Sequence, residues 1–189
     1  MFEELLKELA QALDRAGLPY MVFGGQAVLL YGEPRLTRDI DITLGVDPSK
    51  PGPVLAMIAD LGLRILVDDA EDFLSKTFVL PVLHTPSGVR IDFVFSLSEY
   101  ERQAIARARR VSLGGVDVRF VSLEDLIVQK IIAGRPRDLH DVKNVILKNP
   151  GFDRTRVETR LQQFDRELDT HFLLAFQQMM TELEQRREN

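Results

Sequence analysis

The sequence predicts an α/β (α+β) protein: a mixed sheet flanked by helices over residues 1–120, followed by a helical region over residues 121–189 that packs on this core. Two observations support this prediction. Short runs with strand-like alternation or strand-like composition recur in the first part and are separated by segments of helical spacing. After Ser122 the apolar residues follow helical spacing almost to the end of the chain.

Helices and strands alternate in the first part of the predicted core. Residues 2–16 place leucines at helical spacing, and Gly17 and Pro19 end this helix. The strict alternation of residues 39–44 (DIDITL) predicts a half-buried strand. The predicted elements in chain order are helix 2–16, strand 20–23, helix 26–31, strand 39–44, helix 54–61 and strand 63–67.

Two hairpins and a helix complete the predicted core. The turn sequence TPSG joins the strands of the first hairpin, and Gly114 and Gly115 join those of the second. Ser122, followed three residues later by Asp125, is close to a capping box and opens the C-terminal helices. The predicted elements before it are strands 77–84 and 89–95, helix 98–108, and strands 110–113 and 116–120.

Composition removes several classes of protein. The 189 residues include no cysteine, which excludes a disulfide framework, a zinc ribbon and a thiol nucleophile. No apolar run approaches the roughly 20 residues that a membrane span needs, and the amphipathic N-terminus is neither a signal nor a transit peptide. We therefore expect a cytoplasmic protein with no membrane partner. The net charge of −5 argues against a general nucleic-acid coat.

Two carboxylates lie on one face of the predicted strand 39–44. Because side chains alternate along a strand, Asp39, Asp41 and Thr43 point to one face and the apolar residues point to the other. Two like charges at this spacing repel each other, and paired carboxylates suit a hard divalent cation such as Mg²⁺. The alternative is a charged edge strand that protects the sheet from aggregation.

A glycine pair and a third acid extend this pattern. Gly24 and Gly25 follow a predicted buried strand and precede a helix, so that backbone N–H groups can approach a phosphate. Asp92 lies in the alternating run VRIDFVF, with Arg90 on the same face. If its strand neighbours strand 39–44, three carboxylates meet, as two-metal phosphoryl-type transfer requires. The alternative for Asp92 is a salt bridge to Arg90 or to another arginine.

These residues resemble the nucleotidyltransferase superfamily of DNA polymerase beta, in which two adjacent small residues precede Asp-x-Asp and a distant single Asp. The sequence GGQAVLLYGEPRLTRDID is most similar to the minimal nucleotidyltransferases and the AbiEii-related toxins. The Arg-x-Thr-x-Asp-x-Asp string of that group is matched by Arg35, Thr37, Asp39 and Asp41. Many members have Gly-Ser where this chain has Gly-Gly.

A downstream charged block also fits the AbiEii-like group. It is the segment VQKIIAGRPRDLHD, with Lys130, Arg135, Arg137, Asp138 and Asp141. Considered without the resemblance, Lys130 could extend to solvent from an apolar helix, and the other four could form a surface salt-bridge cluster. The resemblance covers about residues 18–145, and residues 150–189 carry no signal of the family.

The resemblance implies a magnesium-dependent transfer of a nucleoside monophosphate from an NTP, such as ATP, to a hydroxyl group. In such an enzyme Asp92 would also act as the general base. The residues implied are Asp39, Asp41 and Asp92 as catalytic residues and ligands of two Mg²⁺ ions, and Gly24, Gly25, Arg38 and Lys130 as nucleotide-binding residues.

The acceptor stays open at this point. A tRNA 3′ end or a protein hydroxyl fits a toxin of a toxin–antitoxin pair, which would have an antitoxin protein as a partner. The alternatives are a small-molecule nucleotidyltransferase of the antibiotic-modifying kind, or an inactive nucleotide- or partner-binding module of the same fold. The acidic net charge favours a small molecule or a protein, whereas a group of arginines leaves tRNA open: Arg102, Arg107, Arg109, Arg110 and Arg119.

Overall fold

The computed structural model describes residues 2–34, 36–96 and 98–188. It has a mixed α/β fold with a seven-stranded sheet flanked by helices, which confirms the predicted fold class. The chain forms two compact units, Met1–Ala27 with Leu36–Ser122, and Val28–Arg35 with Leu123–Asn189. Within the described residues, no helix is long and apolar enough to cross a membrane.

The elements follow the predicted order with one addition, a helix over residues 70–77. The sequence did not predict this helix because Leu74 alone of its residues is buried; Asp69 caps it by accepting a hydrogen bond from the backbone of Asp72. The described elements are α1 (Phe2–Arg15), β1 (Tyr20–Phe23), α2 (Gly24–Tyr31), β2 (Asp39–Leu44), α3 (Gly52–Asp60), β3 (Arg64–Ile65), α4 (Ala70–Thr77), β4 (Val79–His84), β5 (Val89–Phe95), α5 (Glu99–Ala106), β6 (Arg109–Leu113), β7 (Val116–Phe120), α6 (Leu123–Ala133), α7 (Pro136–Lys148), α8 (Arg154–Leu168) and α9 (Phe172–Glu188).

The first unit contains the sheet, whose strand order is β3-β4-β5-β2-β1-β7-β6. Strand β2 is antiparallel to β1 and parallel to β5, and β4 is antiparallel to β5. Strand β2 is therefore an interior strand. The alternative that its carboxylates protect a sheet edge is wrong, because both of its edges are hydrogen-bonded to neighbouring strands.

One face of strands β2 and β5 forms part of the core. Ile40, Ile42 and Leu44 of β2 are fully buried, and so are Ile91 and Phe93 of β5. Burial of these branched and aromatic side chains fixes which face of each strand turns inward, because successive side chains alternate. The acids of both strands consequently lie together on the opposite face.

The second unit is built from helices α6–α9 and the segment 28–35. Apolar side chains from all four helices form its interior, including Ile127, Val145, Leu161 and Phe176. The turn between α8 and α9 is held by Asp165, whose carboxylate accepts hydrogen bonds from the backbone N–H groups of Phe172 and Leu173 at 2.6 and 3.0 Å. These bonds satisfy donors at the start of α9 that the helix itself leaves unpaired.

Candidate active site

The parallel register of β2 and β5 brings three acids onto one face of the sheet. Asp41 lies directly beside Asp92, and Asp39 lies beside Arg90. Neighbouring strands are about 4.8 Å apart, so carboxylates in this register interact directly. The sequence left open whether the strand of Asp92 neighbours strand 39–44, and the pairing of β2 with β5 shows that it does. We refer to the surface formed by Asp39, Asp41 and Asp92 as the acidic face.

Asp39 is oriented by the residues that precede β2. The hydroxyl of Thr37, which is buried, donates to Oδ1 of Asp39 at 3.0 Å. The side-chain amide of Gln26 donates to the backbone carbonyl of Asp39 at 3.4 Å. The role of Gln26 was not predicted from the sequence. Its only signal there is an amide side chain directly after the glycine pair, and its burial is seen only in the structure. These contacts hold the first acid of β2 in place at the start of the strand.

Asp41 packs against the first residue of α2. Gly24 has a φ of +61°, and a Cβ added to it would lie 2.8 Å from Cγ of Asp41 and overlap with Oδ2. Glycine is therefore favoured here for two reasons: the backbone is left-handed, and the carboxylate of Asp41 occupies the position of a Cβ. Because α2 begins at Gly24, the carboxylate of Asp41 also lies at the helix N-terminus, where the helix dipole favours negative charge.

Asp92 is held by the arginine two residues before it. Nε of Arg90 donates to Oδ1 of Asp92 at 2.8 Å. The salt bridge that the sequence offered as an alternative to an acidic cluster therefore exists, but on the same face as the other acids. The two interpretations are compatible, since Arg90 supplies positive charge where the three carboxylates repel one another.

The chemistry of the donors fits a hard divalent cation, although the side chains do not form a metal cluster as they are placed. Three carboxylates on two paired strands are the oxygen ligands that Mg²⁺ prefers. Within residues 2–34, 36–96 and 98–188, no group of three or more His, Cys, Asp or Glu side chains is arranged to hold a metal ion. Asp92 is paired with the guanidinium of Arg90.

Lys130 is buried between two carboxylates of the second unit. Its Nζ lies 2.7 Å from Oδ1 of Asp138 and 2.8 Å from Oδ2 of Asp141, and all three side chains are at most 8% exposed. Lys130 therefore does not extend to solvent, and these acids do not form a surface cluster. Two of its three N–H donors are used by the acids. Its predicted contact with nucleotide stays a prediction.

Arg135 adds a second cation to this buried group. Its Nε donates to Oδ2 of Asp138 at 2.5 Å, while its own side chain is largely exposed. Burial alone would raise the pKa of Asp138, but the hydrogen bonds and charges of Arg135 and Lys130 outweigh it and hold that pKa below its ordinary value. Asp138 is therefore stabilised as a carboxylate.

The remaining predicted site residues lie in or beside the start of α2 and β2. Gly25 is the second residue of α2, and Arg38 is exposed in the loop that leads into β2. Arg35 lies outside the described residues. The metal, catalytic and nucleotide-binding roles of all these residues stay predictions.

A family model described as "Nucleotidyltransferase of unknown function (DUF6036)" matches residues 1–167 of this chain. A comparison with curated proteins finds no match. The match to the family model therefore includes the residues of the acidic face and those of the buried group around Lys130.

Solved nucleotidyltransferase structures share the fold at low sequence identity. ANT(2")-Ia in complex with adenylyl-2"-tobramycin is 19% identical, with a TM-score of 0.58 over 87% of this chain and 97% of that chain. An antigenic nucleotidyltransferase-like protein from Paracoccidioides brasiliensis is 18% identical, with a TM-score of 0.56 over 88% of each chain. The lincosamide antibiotic adenylyltransferase LnuA, lincomycin-bound, is 18% identical, with a TM-score of 0.50 over 72% of this chain and 91% of that chain.

Replacing Gly24 with Ala tests its contact with Asp41. Ala in the left-handed region costs about 1–2 kcal/mol of stability by itself. The matched control is Gly62→Ala, since Gly62 has the same φ of +61° with no atom within 4 Å of an added Cβ. We expect Gly24→Ala to lower the free energy of unfolding in urea by clearly more than Gly62→Ala. Equal losses would contradict the contact.

Removing the charge of Lys130 tests the buried group. Lys130→Met leaves two buried carboxylates without this cation, and we expect a loss of about 3–5 kcal/mol in the free energy of unfolding. Lys143→Met is the control, because Lys143 forms a half-exposed pair with Glu182 that contributes at most about 1 kcal/mol. A loss for Lys130→Met that is no larger than about 1 kcal/mol would contradict the stabilising role of the buried group.

The lowered pKa of Asp138 predicts an acid-dependent contribution to stability. A group whose pKa is lower in the folded state stabilises the fold at pH values above its ordinary pKa, and this stabilisation disappears as the pH falls through the folded value. Thermal unfolding between about pH 5 and pH 2 should therefore show a shallower loss of stability for Asp138→Asn than for wild type. An unchanged slope would refute the lowered pKa.

Proposed function

This chain belongs to the DUF6036 family of nucleotidyltransferases, and we propose that it transfers a nucleoside monophosphate from an NTP to a hydroxyl group of an acceptor. The observation that supports this proposal best is the register of β2 and β5, which sets Asp41 beside Asp92 on the acidic face. Two-metal phosphoryl-type transfer uses carboxylates that lie close together, whereas like charges directly opposite each other destabilise a purely structural sheet.

Each acid has a distinct role in the proposed reaction. Asp39 and Asp41 would hold Mg²⁺, and Asp92 would join them for a second ion. When bound, Mg²⁺ supplies positive charge that neutralises the triphosphate and the developing negative charge. The carboxylate of Asp92 accepts the proton of the acceptor hydroxyl as its oxygen bonds to the α-phosphorus. The bond from that phosphorus to the bridging oxygen breaks, and pyrophosphate leaves.

The start of α2 is the proposed phosphate-binding element. The first N–H groups of a helix have no partner within the helix, and Gly24 and Gly25 present them without side chains. Arg38, exposed in the loop before β2, would neutralise charge on the leaving pyrophosphate. The nucleotide contact predicted for Lys130 would use the N–H donor that its two carboxylates leave over.

We propose a tRNA 3′ end or a protein hydroxyl as the acceptor, as in the AbiEii-like toxins, because the string of Thr37, Asp39 and Asp41 follows the pattern of that group. An antitoxin would then be the partner. The second candidate is a small hydroxylated molecule, favoured by the fold shared with ANT(2")-Ia, whose crystal structure holds adenylyl-2"-tobramycin. A nucleotide- or partner-binding module without activity is the remaining alternative.

The acceptor can be found by label transfer. The purified chain is incubated with Mg²⁺, each α-labelled NTP in turn, and separately tRNA, a protein extract and a panel of aminoglycosides and lincosamides. Label in one acceptor class identifies the substrate. Nucleotide binding that depends on Mg²⁺ without transfer to any class would favour the inactive module, and absence of both would refute the proposed function.

Substitutions on the acidic face test the roles of the acids. We expect Asp92→Asn to lower the transfer rate by about 10²–10⁴-fold, as loss of a general base does. Asp41→Asn, which removes a ligand, should leave no transfer above background. Asp117→Asn is the control, since Asp117 is an exposed acid on β7 of the same sheet, and its rate should equal that of wild type. A folded Asp41→Asn protein with wild-type activity would contradict the assignment.

A further inference from the structure

We propose that Arg90 is a resident counter-cation of the acidic face: it holds Asp92 away from metal until the triphosphate of an NTP takes over its guanidinium. This inference rests on the proposed function and adds an order to it. The nucleotide, with the ion at Asp39 and Asp41, binds first, and Asp92 becomes available afterwards.

The position of Arg90 in the sheet is the first support. It lies on β5 beside Asp39 of β2, and it precedes Asp92 by two residues on the same strand face. Its backbone is therefore paired with that of Asp39, and its guanidinium contacts Asp92. An arginine here reduces the mutual repulsion of three acids without a metal ion.

The ion pair itself is unequally exposed. Nε of Arg90 lies 2.8 Å from Oδ1 of Asp92, and the Asp92 side chain is 19% exposed while that of Arg90 is 54% exposed. The carboxylate is thus largely covered, whereas the guanidinium reaches solvent. A guanidinium has five N–H donors, more than one carboxylate can use, so a dissolved anion can bind Arg90 at its exposed side.

Competition at Asp92 follows from these contacts. A divalent cation that binds Oδ1 of Asp92 competes with Arg90 for that oxygen, and one that approaches the other oxygen is repelled by the guanidinium. A triphosphate is an anion that a guanidinium binds in bidentate fashion. Transfer of Arg90 from Asp92 to the triphosphate would release the carboxylate at the moment when the substrate is present.

Binding of Mn²⁺ without nucleotide tests this inference. Titrations followed by calorimetry and by electron paramagnetic resonance compare wild type, R90Q, D92N and the double variant R90Q/D92N. We expect R90Q to bind Mn²⁺ about tenfold more tightly than wild type, which corresponds to about 1.4 kcal/mol. In the D92N background the same substitution should have no effect, because the carboxylate that Arg90 blocks is gone.

Arg64→Gln is the matched control for long-range charge. Arg64 is an exposed arginine on β3 whose partner Leu83 is in turn paired with Arg90, so it lies in the same row of the sheet two strands away. Its affinity for Mn²⁺ should match that of wild type. If circular dichroism shows that R90Q does not fold, Arg90→Thr, a residue suited to strands, replaces it in the same titrations.

The failing outcomes separate the two proposals. Unchanged Mn²⁺ affinity in R90Q, an equal gain in the D92N background, or an equal gain from Arg64→Gln would each overturn the role of Arg90 and leave the transferase proposal standing. If wild type and Asp41→Asn bind Mn²⁺ alike with and without NTP, the metal site of the proposed function fails, and the inference about Arg90 fails with it.

Discussion

A parallel register between β2 and β5 determines where the charges of this protein meet. In this register Asp41 lies beside Asp92, and Ile42 lies beside Phe93. A slip of one residue would place acids against buried aromatic side chains, since successive side chains alternate between faces. Burial of the apolar residues therefore fixes the register, and the register fixes the distance between the acids. The hydrophobic core and the acidic face are two consequences of one pairing.

The environment of the acidic face differs for each of its three carboxylates. Asp39 accepts a hydrogen bond from the hydroxyl of Thr37, Asp41 adjoins the start of a helix, and Asp92 is paired with an arginine. Each contact offsets part of the repulsion between the carboxylates. The hydroxyl acts at Asp39 through a hydrogen bond, the helix at Asp41 through its dipole, and the arginine at Asp92 through its charge. The ion pair of Arg90 and Asp92 is the one of these contacts that involves a largely exposed cation, which can also bind a dissolved anion.

Much of the first unit could be predicted from residue patterns, because its strands alternate strictly and its turns contain glycines. The alternation of β2 and β5 assigned Asp39, Asp41 and Asp92 to the faces on which they lie. Helix α4 was missed because it is short and mostly polar, and Leu74 alone of its residues is buried. The burial of Lys130 was also missed: its partners Asp138 and Asp141 are on the next helix, and pairing across a turn leaves no mark in the spacing of either helix.

Sequence separation along the chain has a consequence for how the protein folds. Asp41 and Asp92 belong to strands that are adjacent in the sheet but are separated in the chain by two helices and two other strands. Parallel pairing of this kind requires closure of a long loop before any contact stabilises it, and such pairings form slowly. The two acids can therefore come together only once this long-range pairing has formed.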